Sequence, residues 1–475
     1  MIFLFLIPLF STTFFHSRYV TLIEVSFIFV LFVATIIIYK DSRKNAKYLF
    51  IYYFLCIIYL FVNYFRSQSF HSLVPGNFNY SLFSEFLTIL KLMSPITLIY
   101  SLYYQKIDWK NYLLVLKMWV ILIGGSIIIT NIFKISLSSY SDLTIAKNIF
   151  EWNVDNYYQQ TASKGFFMYA NQEAVVMIML LLLFIYDFLY KNKKSVVYIA
   201  ILMISMLMLG TRVSSVGGFL TLICAYIFYI IYCFYKKEKF NIKSLYLLIP
   251  IFIWGFILPI SPYANRNIEL TNVQKADETK TEDIMKDENV NMIESSNITE
   301  LPKEEDNINY VYTNYNPNYL PKVFFEQYYP ITYDSEFWAN FVKNTPIENM
   351  NYRLIEESII KRVIKINDDK LDILFGISNS RIQNIVNIER DFVLHYYAFG
   401  VIGSLILLLI YIIMLVYSVY SFFKNQTYYL FIITTSILLF IFSAYLTGNI
   451  INSMNAIIPF SFISSGVFLS KKVDK

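Results

Sequence analysis

Apolar residues in this chain gather into runs of about 20, the length at which a helix crosses the hydrocarbon core of a bilayer. The runs fall near 1–16, 19–39, 48–65, 82–104, 112–133, 171–190, 196–211, 213–235, 245–261, 393–421, 428–447 and 455–470. They predict an all-α polytopic membrane protein of about 12 transmembrane helices. One large extracytoplasmic loop domain separates the ninth span from the tenth. The expected parts are a membrane domain over 1–261, the loop over 262–392, and a second membrane domain over 393–475. No internal repeat of solenoid or propeller length is visible.

The loop divides in three. Residues 269–306 are polar and acidic, with Asp277, Glu278, Glu282 and Asp283 among them, and read as a solvated, disordered insert. From Tyr310 to Trp338 aromatics crowd together, including Tyr312, Tyr315, Phe325, Tyr328 and Tyr333. Flat rings there could stack on sugars, or could form a packed lid. After Pro346, the stripe Tyr352, Ile355, Ile359, Val363 and Ile366 predicts an amphipathic helix over 346–367. Arg353, Glu356 and Glu357 lie off that stripe.

Composition strengthens the membrane reading. Of 475 residues, 57% are hydrophobic and only 15% charged, against about 25% charged in a soluble domain. A soluble enzyme and a disordered chain are both excluded. The net charge of +5 matters less than its placement and gives no reason to expect nucleic acid as a partner. Lys40, Arg43, Lys44 and Lys47 crowd one link, Lys191, Lys193 and Lys194 another, and Lys236, Lys237, Lys239 and Lys243 a third. Lys471, Lys472 and Lys475 end the chain. The positive-inside rule then puts both termini in the cytoplasm and turns 66–81, 134–170 and 262–392 outward. Met1 to Phe15 lacks a basic n-region and a cleavage site, so it reads as a retained span. Cys56, Cys224 and Cys233 show neither disulfide nor zinc spacing.

With so few charges, each one near an apolar segment is a candidate for function. Arg212, in Gly210-Thr-Arg212, sits at the tip of a hairpin between two spans. A guanidinium there could grip a phosphate bidentately, or could snorkel to lipid headgroups. Glu389 and Asp391 stand at the mouth of the tenth span, with His395 one turn further in. A carboxylate so placed could take a proton from a sugar hydroxyl, although capping a helix start is the commoner role. His395 alone reads as a packed core histidine. Asn171, Gln172 and Glu173 open the sixth span, where capping is favoured over binding a polar ligand.

In this order, the motifs resemble the O-antigen polymerase and O-antigen ligase superfamily of bacterial envelope proteins, over roughly residues 160–425. The segment around Asn171 looks like the family's glycine-then-asparagine start of a span, and Gly210-Thr-Arg212 like its arginine hairpin. Asn351-Tyr-Arg353 is similar to its second arginine motif, and Leu374-Phe-Gly376 to the turn ahead of the late motif. In ligases that motif runs from a histidine to Gly-x-x-Gly. Counting back from Gly400-Val-Ile-Gly403, the histidine position holds Glu389 and the next Arg390. His395 is out of register and does not inherit the ligase role. The acidic Glu-Arg-Asp looks more like the polymerases.

The resemblance implies a polymerase at the outer face of the bacterial cytoplasmic membrane. Its donor and acceptor would both be polyprenyl-diphosphate-linked oligosaccharides. Arg212 and Arg353 would hold the diphosphate, with Asn171, Arg390 and His395 also on the substrate side. Glu389, or failing that Asp391, would be the general base. No metal and no other cofactor is implied, the arginines standing in for a divalent ion. The bilayer is a partner in any case, and a chain-length regulator and a flippase are compatible ones. Two rivals stay open: transfer of finished glycan to another acceptor, and a transporter, for which Glu85 and Lys91 would be the intramembrane charges.

Overall fold

The computed structural model describes residues 18–75, 79–152, 161–238, 240–268, 271, 303–386 and 388–469. The span expected at 1–16, most of the acidic segment at 269–306 and the terminal lysines lie outside the described residues. Among those described, structure is helical apart from two isolated bridges, Leu137 to Thr144 and Ser138 to Ser163. The membrane helices are α1 (Arg18–Ile38), α2 (Lys40–Ser67), α3 (Leu82–Gln105), α4 (Trp109–Ile132), α5 (Ala170–Tyr190), α6 (Val196–Leu209), α7 (Val213–Lys236) and α8 (Ile242–Ile268). Shorter helices follow: α9 (Lys303–Asn314), α10 (Ser335–Asn344), α11 (Tyr352–Asn367), α12 (Asp372–Phe375) and α13 (Asn379–Ile385). The chain closes with α14 (Asp391–Asn425), α15 (Tyr428–Leu446) and α16 (Met454–Leu469).

Nine of these helices, among the described residues, are long and apolar enough to cross a membrane. Two expected spans come out short. Helix α6 has 14 residues, a rise of about 21 Å against a hydrocarbon core of about 30 Å. It stops because Gly210 adopts φ +66. A Cβ there would lie 2.8 Å from that of Pro262, so the turn is both left-handed and tightly packed. Helix α16 is the other. The amphipathic helix expected from 346 starts at Tyr352, after a 3₁₀ turn at Ile347–Asn349, where the Asn351 side chain accepts from the Leu354 N–H.

The chain folds as two compact units. The first comprises Met1–Phe54, Ile89–Glu269 and Leu407–Lys475. Helix α5 is its axis: apolar all round, and buried along nearly its whole length against α4, α6, α7, α15 and α16. By contrast α7 and α8 leave Ile231, Phe252 and Phe256 exposed, as lipid-facing helices do. Lys91 is anchored here, donating to the Asn452 carbonyl at 3.1 Å.

The second unit comprises Leu55–Thr88 and Leu270–Ile406. It takes in the described part of the expected loop beyond residue 270, together with portions of α2, α3 and α14. The aromatic segment splits in two. Phe325, Tyr329 and Trp338 form a buried core, whereas Tyr312, Tyr328 and Tyr333 are exposed. A bidentate pair closes that core, with Arg362 Nε and Nη2 donating to the two oxygens of buried Asp334 at 2.7 and 3.0 Å. Glu85 is anchored in this unit, accepting from the Ser380 N–H at 2.5 Å. Lys91 and Glu85 thus each bind a peptide group, which is a structural use of an intramembrane charge.

Helix α14 breaks at Gly400, whose φ of 64 and ψ of −172 are not helical. There its backbone meets the Leu374–Phe375 peptide just ahead of Gly376, so closely that a Cβ on Gly400 would lie 2.3 Å from the Leu374 carbonyl carbon. Replacing Gly400 by alanine therefore combines this clash with about 1–3 kcal/mol of backbone strain. The Gly400→Ala protein should unfold at markedly lower temperature in detergent. Gly255→Ala, where a Cβ would come no nearer than 3.4 Å to the Phe219 ring, should change little. Equal thermal midpoints for both variants and the parent would contradict this account.

Candidate functional site

The candidate residues fall into two groups, one in each unit. In the first unit the turn after α6 is built by reciprocal bonding: the Thr211 N–H donates to Ser214 Oγ, and the Ser214 N–H to Thr211 Oγ1, both at 3.1 Å. This satisfies two N–H groups at the start of α7, whose first residues, Val213–Gly217, form a π turn. The Leu209 carbonyl accepts from Ser139 Oγ at 2.7 Å and that of Gly210 from the Tyr140 hydroxyl at 3.2 Å. Arg266 lies over the Tyr140 ring, 4.4 Å from its centroid, and donates to its hydroxyl. The Arg212 side chain stays exposed. It forms no hydrogen bond or ion pair among the described residues. Tyr140 and Arg266 were not foreseen, since nothing local marks residues 126 positions apart as partners.

The same unit corrects the reading of Asn171, Gln172 and Glu173 as caps. Helix α5 begins at Ala170 with Tyr169 in the capping position and no side-chain cap. Gln172 instead ties α5 to the link before α16, donating to the Asn449 carbonyl and accepting from Ser453 Oγ, both at 2.7 Å. Glu173 is buried, and neither of its oxygens is hydrogen-bonded among the described residues. Asn171, half-buried, keeps its amide available.

In the second unit Arg353, from the first turn of α11, donates through Nε to Glu389 Oε2 at 3.1 Å. Both side chains are a little over two-fifths exposed. The Glu389 N–H donates to Glu356 Oε2 at 3.2 Å. Next to it Arg390 pairs with Glu357, which also accepts from Lys361 at 2.9 Å and from the Tyr397 hydroxyl at 3.3 Å. Arg353, Arg390, Glu356, Glu357 and Glu389 thus form one network. The two flanking glutamates behave oppositely. Burial lifts the Glu356 carboxyl to about 8, the Glu389 charge adding to the rise, while the Glu389 N–H, Arg353 and Arg390 restrain it. Glu357 is also pushed up by burial, but Lys361 and Arg390 outweigh that and hold it below its ordinary value.

Asp391 opens α14, so Glu389 stands just outside the helix. Asp391 and His395 share a helix face as their spacing required, and both are fully buried. The His395 Nδ1 faces the Asp391 carbonyl oxygen at 2.5 Å, and the His395 carbonyl accepts from Ser404 Oγ at 2.9 Å. Of the two expected bases, Glu389 is the accessible one. Glu356 escaped the sequence reading because it lies off the apolar stripe, yet the turn carrying Glu389 covers it.

The Glu356 carboxyl has a pH signature. Its folded value lies near 8 against an ordinary 4.5, so the folded protein holds a proton that unfolding releases between those limits. Stability falls as pH rises through this window and levels off above it. Thermal midpoints measured from pH 6 to pH 9 should decline more steeply for the parent than for Glu356→Gln, which cannot ionise. Parallel declines would show that this carboxyl is not the titrating group.

The family described as O-antigen ligase like membrane protein matches residues 2–472. Curated proteins and solved structures offer no significant match. With the match running over nearly its whole length, the chain belongs to the O-antigen ligase like membrane proteins, multi-pass enzymes of glycan processing.

Proposed function

We propose that this protein is a polymerase that joins polyprenyl-diphosphate-linked oligosaccharide units into a surface polysaccharide, at the outer face of the bacterial cytoplasmic membrane. The observation that carries the reading is the Arg353–Glu389 pair at 3.1 Å, in which a carboxylate stands at the position where ligases carry histidine. An acceptor sugar hydroxyl attacks the anomeric carbon of the donor and gives up its proton to Glu389. The bond from that carbon to the lipid diphosphate breaks, and the diphosphate leaves with the electron pair. Negative charge grows on the leaving group, so fixed cations are what the step most needs. Arg353, beside Glu389, takes that role in the second unit; Arg212, in the first unit, is a separate candidate cation with no competing partner among the described residues.

The pairing of Arg353 with Glu389 gives the reaction an order. While the two are joined, Arg353 Nε occupies the Glu389 Oε2 oxygen. A diphosphate that draws Arg353 away releases Glu389 for the acceptor, so donor binding precedes deprotonation. Asn171 and Arg390 contribute on the substrate side. His395 and Asp391, both buried, support the start of α14.

A positioned general base contributes about 100-fold or more to rate. Glu389→Gln should lower polymer formation by at least that factor in a reconstituted assay with lipid-linked units. Arg212→Ala and Arg353→Ala should abolish it while each variant still inserts in the membrane. Wild-type polymer from Arg212→Ala would refute the mechanism. Loss of the gene separates the rivals. Single units left on their carrier mark a polymerase, long lipid-linked polymer marks a ligase, and units held on the cytoplasmic side mark a flippase.

A further inference from the structure

Away from these residues, the first unit contains a groove of about 380 Å³ between the end of α5, one face of α6 and the start of α8. Val196, Ala200 and Met203 lie along α6 at helical spacing, and Tyr246, Pro250 and Ile253 do the same along α8. Apart from Tyr246 the lining is apolar until the groove reaches its end, where Lys193 and Lys243 complete it. Neither lysine forms an ion pair or a hydrogen bond through its side chain among the described residues. Ile249 and Ile253 are substantially exposed, so one side of the groove is open laterally, where a membrane helix meets hydrocarbon.

The two lysines come from different links, and the fold brings those links to the same end of the bundle. The Asn241 side chain donates to the Leu189 carbonyl at 3.1 Å, and the Tyr190 hydroxyl to Glu238 at 3.4 Å. From Val196 to Met203 the apolar face extends about 10 Å from that end. A slot lined by hydrocarbon, ended by the stems of two lysines whose ammonium groups have no partner among the described residues, and open laterally, matches an amphiphile with an anionic head. A soluble anion would leave the apolar length empty, and a neutral lipid would leave two lysines unused.

We infer that this groove is a binding site for an anionic phospholipid of the surrounding bilayer, with Lys193 and Lys243 on the phosphate and an acyl chain along α6 and α8. Basic pockets between membrane helices are suited to such headgroups. On the topology that the basic links imply, the site belongs to the cytoplasmic leaflet. It involves none of the residues proposed for glycan transfer, so it stands or falls separately from that function.

The test is lipid binding to the purified full chain in neutral detergent, read by native mass spectrometry. Phosphatidylglycerol and phosphatidylcholine with the same acyl chains are titrated in parallel. Phosphatidylglycerol should bind in preference, and Lys193→Gln combined with Lys243→Gln should weaken it about tenfold or more. Ala200→Phe, which fills the groove and keeps both lysines, should weaken it as well. Lys191→Gln combined with Lys194→Gln, on the same link but outside the groove, should leave binding unchanged. Equal affinity for the two lipids overturns the inference. So does an equal loss from the Lys191 and Lys194 changes, which would indicate diffuse attraction to a basic surface. Retention of full binding by Ala200→Phe, or displacement of the lipid by inorganic phosphate, would show that the apolar slot holds no chain.

Discussion

The backbones of Gly376 and Gly400 cross in the second unit at a separation that admits no side chain on either. A Cβ on Gly376 would sit 2.2 Å from the Ala398 carbonyl oxygen. Because α14 opens at Gly400, carbonyls ahead of it lose their helical donors and must find others, since no water is available inside a membrane protein's packed interior. The Ile377 and Ser378 N–H groups supply two, donating to Tyr397 and Ala398 at 3.0 Å. The Tyr59 hydroxyl lies within hydrogen-bonding distance of the Phe399 and Phe375 carbonyls, at 3.0 and 2.8 Å. Gly403 packs on the same Tyr59 ring. The first turns of α14 are thereby held against the turn after α12, and with them the short segment that carries Glu389.

Given that anchor, the charges of the second unit sort by what they hold. Arg66 grips Asp369 and Asp372, and Arg362 grips Asp334. Arg381, buried against the Phe70 ring, donates to the Ser67 carbonyl at 2.7 Å. Each ties segments distant in the chain and has its donors committed. Arg353 differs in that both it and its partner, Glu389, are more than two-fifths exposed, so the pair can be opened by an incoming anion at modest cost. In the first unit Arg212 is the contrasting case, a guanidinium left unengaged because Ser139 and Tyr140 already satisfy the carbonyls around it.

Much of this was legible in the order of residues. Nine of the twelve expected spans were, because apolar runs of bilayer length have few alternatives. Arg212 and Glu389 stood out as candidates because charge is scarce beside membrane segments, whereas Arg353, on a charged loop helix, was singled out only by the family resemblance. The glycines of the late motifs were visible as a family pattern, but not their reason. The aromatic segment was visible as a cluster, yet composition could not tell that Trp338 is buried and Tyr333 exposed.

The sequence by itself determined the solvent in which this protein folds, most of the segments long and apolar enough to cross a membrane, and the few ionisable groups from which a site could be made. Hydropathy and charge are properties of single residues summed along a window, and they survive without knowledge of neighbours. The tertiary structure decided what those groups do. It buried Glu356 beside Glu389, enclosed Asp391 and His395, turned Gln172 from a cap into a tie, and paired Lys193 with Lys243 across a groove. Each of these depends on which distant backbone covers a side chain. Burial and hydrogen bonding are set by contacts between segments, and no local pattern encodes them.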